Sequence, residues 1–160
     1  MPRETVRVTS VSLQPVREDE SEELVRLRIE AMRESLERIG RFDAARARQR
    51  FLAGFVPEFT SHILVEGDRV GFLAIKPTSE GLSLEHLYVR GEHQGRGIGS
   101  AVLAILFEQA DGKALPIRVG ALRGSDSNRF YLRHGFIRVG EGEWDIYYVR
   151  LAKAQSVEGQ

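Results

Sequence analysis

The chain has 160 residues, 42% hydrophobic and 29% charged, and this length suits one domain with a substantial hydrophobic core. Its 23 lysines and arginines are balanced by 23 aspartates and glutamates, so no net field attracts nucleic acid or an anionic membrane. Cysteine is absent, which excludes disulfides, thiolate metal sites and a cysteine nucleophile.

The sequence indicates neither a leader nor a membrane span. The first 20 residues are charged and strand-like, with no apolar run of the signal-peptide kind. No stretch approaches the ~20 consecutive apolar residues that cross a bilayer. We therefore expect a cytoplasmic protein with one domain over residues 1–152 and a flexible tail over residues 153–160.

The first elements in chain order are a strand and two helices. Residues 5–13 alternate in hydrophobicity as a half-buried strand does. Ser21, followed by two glutamates, begins an amphipathic helix that Gly40 ends. Asp43 is suited to cap a second helix, which Pro57 closes.

Three strands follow. Two of them, residues 61–66 and 70–76, are joined by Gly67 and Asp68, a pair that favours a hairpin turn. Residues 82–89 are apolar on both parities, which predicts a central strand covered on both faces.

The C-terminal half alternates helices with strands. Residues 97–110 predict an amphipathic helix, residues 116–122 a strand, and residues 125–134 a short helix. Two strands close the chain, the last over residues 144–151. The order as a whole predicts an α/β fold, a mixed sheet of about seven strands with helices on both faces.

Glycines stand at alternate positions soon after the central strand. That strand ends in Leu87, Tyr88 and Val89, and the helix after it begins with the run Gln94-Gly95-Arg96-Gly97-Ile98-Gly99-Ser100. Glycines let the backbone approach a ligand closely, and the first amides of a helix have no partner within it. Together with the helix dipole they favour an anion, best a phosphate or pyrophosphate, which Arg96 could also bind.

Two common nucleotide motifs do not fit this run. The dinucleotide fingerprint needs a glycine three residues beyond Gly97, where Ser100 stands. The P-loop pattern is absent altogether. An ordinary glycine-rich loop and a site for some other phosphate both remain open at this point.

A second motif narrows the possible functions of this glycine-rich run. It reads Asn128-Arg129-Phe130-Tyr131-Leu132-Arg133-His134-Gly135-Phe136. This run resembles the second recognition segment of the GNAT superfamily of N-acetyltransferases. The first run is similar to that family's Q/R-x-x-G-x-G/A signature, met by Gln94, Gly97 and Gly99. The order of elements resembles the family along nearly the whole chain.

The resemblance implies acetyl-CoA as the cosubstrate and a primary amine as the acceptor. The central strand would splay from its neighbour, and backbone groups at Leu87, Tyr88 and Val89 would bind the pantetheine arm. Residues 94–100 would hold the pyrophosphate. The amine would attack the acetyl carbonyl directly, so neither a metal nor a covalent enzyme intermediate is expected; the spacing of the four histidines likewise gives no metal site.

Three further side chains are candidates for the site. Tyr131 matches the family tyrosine that protonates the departing thiolate, although a packed aromatic is the alternative. Glu85 shares strand parity with Leu87 and Val89, so we expect it on an apolar face, where a carboxylate suits a general base. An ion pair or a wetter strand end is the alternative for Glu85. Asn128 would either bind pantetheine or cap its helix locally.

The acceptor substrate is the part of the reaction that the sequence specifies least. The family places it across the first two helices, and this region carries both signs of charge, so a small molecule and a peptide remain equal candidates. A non-catalytic acyl-CoA-binding module on the same fold is the alternative function. A homodimer is compatible with the sequence, and no nucleic acid or membrane partner is indicated.

Overall fold

The computed structural model of the chain describes residues 10–153. Its α-helices are α1 (Ser21–Arg38), α2 (Ala44–Gly54), α3 (Ile98–Gly112) and α4 (Ser127–Arg133). Its strands are β1 (Ser12–Pro15), β2 (Thr60–Val65), β3 (Asp68–Thr78), β4 (Gly81–Val89), β5 (Ile117–Leu122), β6 (Ile137–Glu141) and β7 (Asp145–Arg150). None of these helices is long and apolar enough to cross a membrane.

This order confirms the predicted succession of strands and helices. The first predicted strand begins among residues that the structure does not describe, and β1 covers only its end and the two residues after it. The tail beyond residue 153 also lies outside the described residues. The single domain and the flexible tail therefore stay predictions.

The sheet is mixed, with strand order β1-β2-β3-β4-β5-β7-β6. β4 and β5 are parallel, whereas β1–β2, β2–β3, β5–β7 and β6–β7 are antiparallel. Val65 pairs with Asp68, so the β2–β3 hairpin has Glu66 and Gly67 as its two-residue loop, with φ angles of 53° and 84°. The turn thus lies one residue earlier than predicted, because Asp68 already belongs to β3.

Contacts group the chain into two compact units. The first contains the described residues 10–74 together with His86–Val102, and the second contains Ile75–Glu85 with residues 103–153. β3, β4 and α3 each contribute residues to both units.

Helix α2 and strand β3 meet in the core of the first unit. The Asp43 side chain accepts a hydrogen bond from the Arg46 amide (3.1 Å) and so begins α2 as predicted. Phe51 of α2 then packs edge-on against Phe72 of β3, with 5.7 Å between ring centroids. Apolar residues of α1 complete this core, namely Leu24, Val25 and Leu27.

The second unit is built on β5, β7 and the later turns of α3. Arg150 is buried, and its guanidinium lies 3.9 Å from the ring centroid of Phe107. It also donates two hydrogen bonds to Asp111, of 2.9 and 3.0 Å. These bonds, with one from the Lys153 amide, lower the pKa of Asp111 to about 2, so the end of α3 is tied to β7 by an ionised pair.

A four-membered polar network joins the beginning of α1 to the first unit's strands. His62 of β2 is buried, with Nε2 3.2 Å from Oε1 of Glu20 and Nδ1 3.7 Å from Glu23. Arg69 of β3 binds both carboxylates, at 2.5 Å to Glu20 and 3.0 Å to Glu23. The sequence alone does not predict this network, because its members are far apart in the chain.

The pKa of Glu20 falls from 4.5 to about 2, first because the Arg17 amide donates to its carboxylate and then because His62 and Arg69 lie beside it. A lowered folded-state pKa stabilises the fold above pH 4.5, and this contribution disappears as the pH falls towards 2.

We therefore expect Glu20→Gln to lower the melting temperature at pH 7, and the deficit against the wild type to shrink as the pH falls below about 4.5. Thermal unfolding followed by circular dichroism from pH 7 to pH 3 measures this. The control is Glu18→Gln, an exposed neighbour in the same turn, for which no deficit is expected. A deficit for Glu20→Gln that stays constant with pH would contradict the account.

Candidate active site

The end of β4 is held by a close approach to β3. An added Cβ on Gly71 would lie 2.0 Å from the Tyr88 carbonyl oxygen and 3.0 Å from the Val89 Cα. Only glycine fits at this point without a shift of the backbone. The Arg90 amide then donates to the Val70 carbonyl (2.8 Å), so β3 fixes the place where β4 ends. Leu87, like Tyr88 and Val89, is half-buried.

A short loop leads from β4 to α3. It contains a 3-10 turn, Gly91–His93, which Gln94 follows. The Gln94 side-chain amide donates to the Val89 carbonyl (2.9 Å), which closes the loop back onto the strand end. This side chain therefore stabilises the turn, and the cofactor binding that the resemblance implies for Gln94 stays a prediction.

Two glycines carry the chain into the helix. Gly95 and Gly97 have φ angles of 81° and 78°, a backbone conformation that strongly favours glycine. α3 begins at Ile98, and its first hydrogen bond runs from the Ala101 amide to the Gly97 carbonyl (3.0 Å). The amides of Ile98 and Gly99 precede that bond, and the first turn contains no acidic residue. This arrangement suits an anion.

Arg96 adds a positive charge to the turn. Its guanidinium Nη1 lies 2.9 Å from His93 Nδ1. A guanidinium can only donate, so Nδ1 of His93 is the acceptor in this contact. The contact holds the half-buried Arg96 beside the glycines.

Tyr131 lies on α4, in the second unit, and is 5% exposed. Its ring packs edge-on against Phe130 and Phe136, with centroids 5.4 and 5.2 Å apart, and 6.3 Å from that of Tyr148. The side chain is thus a packed aromatic, as the alternative interpretation expected. Its role as a proton donor stays a prediction.

Asn128 uses both ends of its amide locally. Nδ2 donates to the carbonyls of Leu122 and Ser125, each at 2.9 Å, and Oδ1 accepts from the Tyr148 hydroxyl at 2.7 Å. These bonds are the local ones that the second alternative expected, and binding of pantetheine by Asn128 stays a prediction. Tyr148 was missed from the sequence because it lies 20 residues away on β7.

The expectation for Glu85 was wrong in one respect. Its side chain is exposed, whereas strand parity predicted a dry, apolar face. Ser83, Leu87 and Val89, which share that parity, are only half-buried, so this face of β4 is open from Ser83 onwards. Alternation shows which residues share a face but not whether another element covers it. Desolvation therefore gives no support to Glu85 as a base.

One cluster of the described residues has the composition of a metal site. It is the group of Glu20, Glu23 and His62, whose ligand atoms lie within 4.8 Å of one another. Arg69 already binds both carboxylates through its single positive charge. The expected absence of a metal stays a prediction.

The site residues predicted from the sequence fall into two groups. Leu87 to Ser100 belong to the first unit, where the structure brings strand end, loop and helix start together. Tyr131, Asn128 and Glu85 belong to the second unit. Gly71 was overlooked, although a glycine inside a strand is a recognised signal of close backbone approach.

Comparison with known protein families identifies the central part of the chain. The description of the matching family model is acetyltransferase (GNAT) domain, and it covers residues 59–138, half of the chain. The matched segment contains both the glycine turn and α4. A search of curated proteins found no significant match.

Solved structures share the fold over most of their length. The PaiA N-acetyltransferase of Thermoplasma acidophilum, in complex with coenzyme A, is 15% identical with a TM-score of 0.71, covering 89% of this chain and 99% of that one. An acetyltransferase from Thermus thermophilus is 22% identical with a TM-score of 0.70, covering 91% and 99%. Because the family model spans half of the sequence, the chain belongs to the GNAT family and is an acetyltransferase.

Proposed function

We propose that the chain transfers the acetyl group of acetyl-CoA to a primary amine of a small molecule or peptide, by direct attack within a ternary complex. The observation that carries the proposal is the start of α3, where two left-handed glycines precede the first amides of a helix that has no acidic residue in its first turn. The similar PaiA enzyme was solved with coenzyme A, which supports the same cosubstrate here.

The donor side of the reaction would use the first unit. Amides of Gly95, Gly97 and Gly99 and the Arg96 guanidinium would bind the pyrophosphate, with Ile98 and Ser100 beginning the helix beneath it. Gln94 would act through its bond to the Val89 carbonyl, keeping the turn in shape. Backbone groups at Leu87, Tyr88 and Val89 would bind the pantetheine arm as an added strand does.

The chemistry needs two proton transfers. The amine attacks the acetyl carbonyl carbon, and the tetrahedral intermediate expels CoA as a thiolate. Tyr131 would donate its phenolic proton to that sulfur, since a phenol is protonated at neutral pH. The amine's extra proton would pass to Glu85 through water, which suits an exposed carboxylate. Asn128 would contribute by holding α4 in place, through the bonds described above.

The acceptor would lie over α1, α2 and the loop between them, as the family resemblance implies. This surface offers both charges, and its pairs Arg33–Glu37 and Arg38–Glu34 are exposed i,i+4 ion pairs of a solvated helix face. They do not select one class of amine. We also propose a cytoplasmic location, and a homodimer is compatible with the proposal.

An assay of thiol release with acetyl-CoA and a panel of amines tests the function. The protein has no cysteine, so every thiol detected comes from CoA. We expect release that depends on one class of amine, and Tyr131→Phe to lower kcat by roughly 100-fold, the usual contribution of a positioned proton donor. Tyr147→Phe, the same change at a tyrosine that is 45% exposed, is the control. Release that is unchanged in Tyr131→Phe would remove Tyr131 from the mechanism.

Gly71→Ala tests whether the strand end shapes the cofactor site. The new Cβ would meet the Tyr88 carbonyl at 2.0 Å, so β4 must shift. We expect weaker binding of acetyl-CoA by isothermal titration calorimetry and a loss of about 1–3 kcal/mol in unfolding free energy.

The matched control is Gly54→Ala, where an added Cβ meets nothing within 4 Å. Its affinity for acetyl-CoA should equal that of the wild type. Unchanged affinity in Gly71→Ala would mean that the end of β4 does not contact the cofactor.

A further inference from the structure

Helix α4 has little of its own to hold it in place. It has only seven residues, and a helix this short is marginal without tertiary contacts. Its N-cap residue, Asp126, has a helical backbone conformation and makes no side-chain capping bond. The position of α4 therefore depends on contacts between its side chains and other parts of the chain.

Asn128 makes the connection in place of a cap. It is the second residue of α4, and its Nδ2 donates to the Leu122 and Ser125 carbonyls, which lie before the helix. Its Oδ1 accepts from the Tyr148 hydroxyl at 2.7 Å. Both hydrogens of the Asn128 side-chain amide are thus donated to carbonyl oxygens, and its oxygen accepts a hydrogen bond from the buried Tyr148 hydroxyl.

Tyr148 is well placed to fix that oxygen. It is 3% exposed, and its backbone pairs with Val119 of β5 on one side and Arg138 of β6 on the other. A residue in the middle of three strands moves less than one in a loop. The sheet therefore holds the Tyr148 hydroxyl in place, and the hydroxyl in turn holds Asn128 of α4.

Tyr148 also contacts the next turn of the same helix. Tyr131 is three residues beyond Asn128, so both lie on one side of α4. The ring centroids of Tyr131 and Tyr148 are 6.3 Å apart, with 44° between the ring planes. One tyrosine thus contacts α4 twice, by a hydrogen bond to Asn128 and by ring packing on Tyr131.

We propose that Tyr148 is a positioning residue for catalysis, holding α4 through Asn128 and orienting the Tyr131 phenol. This inference rests on the proposed role of Tyr131 as the proton donor. Without the Tyr148 hydroxyl, Asn128 Oδ1 loses its hydrogen-bond donor. Helix α4 then loses the hydrogen bond that connects it to β7. Misplacement of a catalytic group by about 1 Å can slow a reaction by as much as 100-fold.

Tyr148→Phe removes the hydroxyl and keeps the ring. We expect kcat for thiol release to fall about tenfold or more, while KM for acetyl-CoA changes less than about twofold. Tyr147→Phe is the control, since this neighbour is 45% exposed and its ring lies over Gly120. A merely structural role for the Tyr148 hydroxyl would lower the melting temperature without this split between kcat and KM.

The double variant shows whether Tyr148 acts through Tyr131. If it does, Tyr131→Phe/Tyr148→Phe is no slower than Tyr131→Phe alone, because the positioned proton donor is already gone. Losses that multiply in the double variant would overturn the inference. So would a Tyr148→Phe enzyme as fast as the wild type when Tyr131→Phe is slow, and that result would leave the proposed function intact.

Hydrogen exchange gives a readout that needs no turnover. We expect the amides of α4 to exchange at least about tenfold faster in Tyr148→Phe than in Tyr147→Phe. Equal protection in the two variants would overturn the inference whatever the enzyme's activity. Wild-type protein that releases no CoA with any amine would instead overturn the proposed function, and the positioning role with it.

Discussion

The approach of β3 to β4 at Gly71 is the constraint on which the candidate cofactor site depends. The Tyr88 carbonyl occupies the space of a side chain at Gly71, and the Arg90 amide bonds to the Val70 carbonyl. These contacts fix where β4 ends and in which direction the chain leaves it. The loop, the two left-handed glycines and the first turn of α3 follow directly along the chain. A displacement of the end of β4 would therefore also displace the amides at the start of α3.

In the proposed reaction, the chain would bind its anionic cosubstrate through local groups. With equal numbers of acidic and basic residues it has no long-range field to concentrate a ligand such as CoA. The turn supplies amides at a helix start and one guanidinium held by His93, and it has no acid in the first turn of α3 to oppose them. Such a site would bind an anion mainly through the geometry of its backbone amides, which would explain why its sequence is richer in glycine than in lysine or arginine.

Most of the fold could be predicted because its signals are local. Asp43 caps α2 by its own side chain, and apolar spacing identifies each helix within a few residues. The turn at Gly95 and Gly97 could be found for the same reason, since positive φ angles require glycine in the sequence itself. Family membership then favours catalysis over a module that only binds acyl-CoA.

The features that could not be predicted depend on residues distant in the chain. The exposure of Glu85 depends on what covers β4, and the partner of Asn128 stands on β7. The network of Glu20, His62 and Arg69 likewise joins the beginning of α1 to two strands. A periodic pattern indicates a face, but only the register of the sheet decides which side chains meet there.

Calorimetric titration with acetyl-CoA and with acetylated pantetheine, which lacks the pyrophosphate, tests the central claim most directly. If the turn of residues 94–100 binds the pyrophosphate, the wild type binds acetyl-CoA at least about tenfold more tightly, a difference of roughly 1.4 kcal/mol. Gly97→Val, with a branched side chain where φ is 78°, should bind the two ligands about equally. Equal affinities in the wild type would contradict the account.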